Sequence, residues 1–140
     1  MRKDTPRGGD PTPRWGDSMG AIAGAGALYS TVDDLLIYAE AQLGDTATPI
    51  DAAIALTQQI TYRTADESVA TGLGWYRMRL APDRPPVYLH DGGTGCFSSF
   101  IAFSHSERLA VVLLANGGDA LENSELFFVL VDTLQASGAR

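Results

Sequence analysis

The residues most able to do chemistry cluster in "YLHDGGTGCFSSFIAF", residues 88–103. His90 stands at the end of one extended segment. Gly92, Gly93, Thr94, Gly95 and Cys96 then lead into a second. A tight turn needs one or two glycines, so a run of this kind asks for another reason. Glycine lets a ligand approach the backbone closely. The N–H of Gly92 or Gly93 could donate to a developing oxyanion. His90 at the entrance could move a proton or hold an anion. Spacing alone equally admits a Gly-rich β-bulge with His90 packed beside it.

Other chemistries fit less well. A phosphate loop needs Lys-Ser or Lys-Thr followed by a helix, and here a strand follows with no lysine near. "GAGALY" at 24–29 lacks the third glycine of a dinucleotide fingerprint. Cys96 is the only cysteine, and a lone cysteine is more often a small buried hydrophobe than a nucleophile. Two histidines without a second cysteine or a carboxylate cluster make no metal site. No cofactor is expected. His105 falls in a polar turn and is expected to face solvent.

The elements that must position these residues are expected to form an α+β fold. Residues 1–17, rich in Pro and Gly, read as an irregular lead-in. A small-residue run follows at 19–30. Thr31 is a helix N-cap with Asp34 three residues on. Val32, Leu35, Leu36, Ala39 and Leu43 then fall at helical spacing, and Gly44 ends the helix. A second helix is expected from Thr48-Pro49 to about Gln59. The period then changes, and strands are expected at 72–80, 87–90, 97–103 and 109–116. The last is apolar throughout, as for a strand inside a sheet and buried on both faces. A final helix over 121–136 should cover this antiparallel sheet of three to four strands.

Composition supports a folded domain. The 140 residues are 45% apolar and 19% charged, enough to bury a core. A net charge of −7 argues against nucleic acid and against an anionic membrane surface. The longest apolar runs fall far below the roughly 18 residues of a membrane span. One cysteine allows no internal disulfide, so the compartment is not readable.

"HDGGTGCFSSFIAF" followed by "ERLAVVLLANGG" resembles the C-terminal third of the serine β-lactamase-like hydrolases. That family takes in class C β-lactamases, D-Ala-D-Ala carboxypeptidases and related esterases. His90-Asp91-Gly92 matches the His-x-Gly form of the family's active-site triplet, and Gly93-Thr94-Gly95 continues the pattern. "GAGALYSTVDDLLIYAEAQL" and "GLGW" are also similar, so the resemblance spans nearly the whole chain. It implies that His90 and the backbone N–H of Gly93 are catalytic, and that Asp91, Gly92 and Thr94 face the substrate. Cys96 departs from the family, which often has a glycine there.

The resemblance also implies parts that this sequence lacks. The family's nucleophile is the Ser of a Ser-x-x-Lys motif, activated by its Lys. Lys3, the only lysine, is too near the start to close such a motif. The family's second motif ends in Asn, two residues after Tyr or Ser. Leu114 and Leu121 stand at that place before Asn116 and Asn123. The chain is therefore expected to be the last third of such an enzyme. It would be inactive alone, with a small-molecule acyl substrate only in the complete enzyme, and its expected partner is a second copy or a complementing N-terminal chain. The alternative is a non-catalytic module that binds a partner or itself. A homodimer is expected, through edge pairing of 109–116 or exchange of the terminal helices.

Overall fold

The computed structural model describes residues 20–26, 28–65, 68–79, 82–93, 97–116, 129, 132 and 133. The lead-in at 1–17 lies outside them. A 3-10 turn, Gly20–Ala25, opens the described part.

Helix α1 is Val32–Leu43. Its start is fixed by Thr31, whose backbone is extended and whose hydroxyl oxygen accepts from the Asp34 N–H at 3.2 Å. The hydroxyl donates in turn to the Asp34 carboxylate at 3.0 Å. Its end is fixed by Gly44 at φ 75°, where the chain turns left-handed and closes bonds back to Ala41 and Glu40. Helix α2, Asp51–Thr57, begins two residues after Pro49, later than the proline suggests. Asp51 accepts from the Thr48 N–H at 2.9 Å, so the local polar pair holds 48–50 as a turn ahead of the helix.

Six strands follow, where three to four were expected: β1 Tyr62–Arg63, β2 Val69–Thr71, β3 Tyr76–Met78, β4 Val87–Gly93, β5 Ser98–Ser104 and β6 Leu109–Ala115. They form one antiparallel meander in chain order. The segment expected as a strand over 72–80 is a turn at 72–74 and a three-residue strand. The expected strand at 87–90 runs on to Gly93. β6 was expected inside the sheet. Among the described residues it is the last strand, and most of its side chains are half-buried. The C-terminal helix expected over 121–136 is described only at Val129, Asp132 and Thr133, which are helical. No C-terminal helix covers the sheet among the described residues. Asp132 pairs with Arg84 of the β3–β4 connection at 3.5 Å. No described helix is long and apolar enough to cross a membrane.

The sheet carries an apolar cluster on each face. Val87, Leu89, Phe100 and Ala102 are buried together, with Met78, Val111 and Leu113 packed against them. These are alternate residues of neighbouring strands, so they share one face. The other face carries Trp75 and Phe103, edge to face at 4.9 Å, with Tyr88 stacked on Phe103 at 5.2 Å. Tyr38 of α1 stacks on Trp75 at 6.2 Å, and α1 packs against β5 and β6.

Candidate active-site edge

Where β3 stops, β4 goes on. β3 pairs with β4 only through Met78, Arg77 and Tyr76, opposite Val87, Tyr88 and Leu89. β5 pairs with β4 along its length, from Tyr88 opposite Phe103 to Gly93 opposite Ser98. Among the described residues, no strand lies beside 90–93 on the β3 side. Alternate residues of an antiparallel strand turn their N–H and C=O to opposite neighbours. The stretch His90, Asp91, Gly92, Gly93 therefore presents backbone donors and acceptors to open space, and all four residues are exposed. An extended substrate or a carbonyl oxygen can dock on such an edge.

The glycines keep that edge clear. A Cβ on Gly93 would meet nothing within 4 Å, so side chains would stand in the open cleft. A Cβ on Gly92 would press on the Ser99 hydroxyl at 3.1 Å. Ser99 donates to the Gly92 carbonyl at 3.3 Å, across from β5. Thr94, Gly95 and Cys96 lie outside the described residues.

A pocket of about 170 Å³ opens beside His90. It is lined by Thr71, Gly72, Gly74, Trp75, Tyr76 and His90. The turn that forms its far wall is "GLGW". Gly72 passes so close to the end of α2 that a Cβ would lie 2.6 Å from the Thr57 carbonyl and 2.8 Å from that of Gln59. The Leu73 N–H donates to Thr57 at 3.0 Å, and Gly72 to the Trp75 carbonyl at 2.8 Å. Gly74 then takes φ 100°, which disfavours any residue with a Cβ. The chain emerges with Trp75 buried and Tyr76 stacked on His90, ring centroids 5.8 Å apart and planes 30° apart. Sequence reading placed His90 and the glycines but missed Trp75 and Tyr76. The signal for them was "GLGW", read as strand where its two glycines make a turn.

His105 is exposed in its turn, as expected, and its ring also has aromatic neighbours. It lies edge-on to Tyr88 at 5.6 Å and to Phe103 at 5.5 Å. Its Nε2 is 2.7 Å from the Gln58 Oε1. Gln58 gives its amide N–H groups to the backbone and side-chain oxygens of buried Gln42, at 3.0 and 2.9 Å. With the Gln58 nitrogen so committed, its oxygen faces His105, and the neutral ring must carry its proton on Nε2. Burial holds the His105 pKa below its ordinary value. Burial also raises Tyr38, only partly offset by its hydrogen bond with Gln42. The pair joins the β5–β6 turn to α2 and α1, away from the open edge.

A family model described as Beta-lactamase matches residues 1–130. The chain belongs to the serine β-lactamase-like family. No curated protein matches it. For a β-lactamase-like chain the open stretch of β4 is the natural place to seek chemistry. It combines a histidine, backbone clearance and free amide groups at one strand end.

Proposed function

We propose that this chain supplies one wall of a β-lactamase-like acyl-transfer site, the C-terminal third of the enzyme. The reaction is hydrolysis of a β-lactam, peptide or ester through a serine ester. The observation that carries this is the bare end of β4, residues 90–93, in a chain of that family. Gly93 N–H donates to the oxyanion. His90 supports proton movement, and Asp91 and Gly92 face the substrate; the family resemblance assigns Thr94 the same role. The chain holds no Ser-x-x-Lys, so its own serines lack an activating lysine. Oxyanion donors alone retain a small part of such catalysis. Residues 1–140 would therefore be inactive by themselves, and a segment bearing Ser-x-x-Lys, in the same protein or in a complementing chain, would complete the site. Mass spectrometry after incubation with a fluorophosphonate should show no stoichiometric serine adduct. A candidate N-terminal chain should restore the nitrophenol burst from a p-nitrophenyl ester. A stoichiometric adduct on the chain alone would sink this reading.

Self-association is the second reading, and β6 favours it. Leu109–Ala115 has no charge and no proline, and among the described residues β5 alone pairs with it. Such an edge pairs with other chains. A second copy of this chain joins there as a dimer. Val112→Lys should weaken it. A compact monomer by sedimentation equilibrium at high micromolar concentration would refute the dimer.

A further inference from the structure

We propose that Tyr76 is a positioning residue for His90, and that the "GLGWY" turn is the strut that holds it. This rests on the reading of residues 90–93 as the active-site edge. His90 stands on an exposed stretch of strand, where several staggered side-chain orientations are open. Among the described residues its ring makes no hydrogen bond or ion pair. The Tyr76 ring, stacked at 5.8 Å, is what selects one orientation. An aromatic face beside an imidazole favours one ring orientation over the others.

Tyr76 is held from behind. It pairs with Leu89, one residue before His90, through the β3–β4 ladder. Trp75, its neighbour, is locked between Tyr38 and Phe103. Gly72 seats the turn against the end of α2, and Gly74 allows the left-handed step that sets Trp75 and Tyr76 on their separate tasks. Each of these contacts is made by the core, and Tyr76 transmits their rigidity to a side chain in the open. Tyr76 itself is 43% exposed, on the same open side as His90's pocket.

The test is NMR of the full chain. In the wild type and in Tyr76→Phe, the His90 ring protons should carry an upfield ring-current shift. Tyr76→Leu should lose that shift, while the His105 ring protons stay in place. Identical His90 shifts in wild type and Tyr76→Leu would overturn the proposal. Should Tyr76→Leu fold poorly, cross-relaxation between the Tyr76 and His90 rings in the wild type decides, and its absence overturns the proposal equally. In the completed enzyme, Tyr76→Leu should lower kcat for p-nitrophenyl acetate on the order of tenfold with little change in KM, and Tyr76→Phe should restore it. Failure to obtain any activity would count against the hydrolase reading and leave the NMR result standing.

Discussion

The two halves of β4 share a strand, a partner and a register, yet they live in different surroundings. Residues 87–89 pair with β3, Tyr88 and Leu89 also pair with β5, and Val87 and Leu89 are 0% and 2% exposed. Residues 90–93 keep β5 and lose β3, and every one of them is exposed. Among the described residues, what changes is the end of β3 at Tyr76. The buried half fixes where the strand lies, and the bare half inherits that position without needing contacts of its own. A site built on such a strand is placed more accurately than one on a loop.

The contrast breaks first on stability. Leu89→Ala should cost about 2–5 kcal/mol in urea unfolding, because it empties a fully packed position. His90→Ala, one residue on, should stay within about 0.5 kcal/mol. Equal costs would mean that the bare half is also structural. The reverse holds for activity in the completed enzyme. Gly93→Pro, which removes the N–H, should reduce turnover of a p-nitrophenyl ester by on the order of 10²-fold or more, part of it from backbone strain. His90→Ala should reduce turnover more than His105→Ala, and equal effects would remove His90 from the site.

Two smaller effects sharpen the comparison. Gly72→Ala should cost about 1–3 kcal/mol, since two backbone carbonyls must move to admit a methyl group. Gly93→Ala, with nothing within 4 Å, should cost far less by the same measurement. His105 gives the smallest effect. Its folded-state pKa lies below the unfolded value of about 6.5, so the unfolded chain binds the proton more readily. Stability should be unaffected by this group above that pH and should fall as pH drops below it. His105→Asn should flatten that slope in urea midpoints taken between about pH 5 and 7.5.

The sequence was most legible where a single residue dictates a backbone event. Thr31 and Gly44 bound α1 because a hydroxyl cap and a left-handed step are nearly unambiguous. β1 and β2 were illegible because two and three residues carry no alternation to read. They are held instead by threonine: Thr61 bonds to Thr71 through N–H and hydroxyl, and Thr64 to Val69 likewise. β6 misled because its unbroken apolar run suggested an interior strand. The run has another cause, since α1 lies against this strand and the Val87–Leu89 cluster takes Val111 and Leu113. At the site, the glycine run pointed to 90–93, but nothing in one strand announces where its neighbour stops. That stopping point lies in the turn at Gly72 and Gly74, and it decides which part of β4 is bare. His105 was legible as an exposed turn residue, but its partner, Gln58, is 47 residues away in sequence and was not.

The meander has a consequence for how the chain reaches this structure. Every strand pairs only with its neighbours in sequence, so the whole sheet can zip through successive hairpins with short loops to close. The helices are different, because α1 meets β5 and β6 across some of the longest separations in the molecule, as the Asp45–Arg108 ion pair shows. Formation should therefore be biphasic, with fast hairpin zipping followed by slower docking of α1. Trp75 fluorescence should change in both steps, first as Phe103 of β5 meets its ring and then as Tyr38 arrives with the helix.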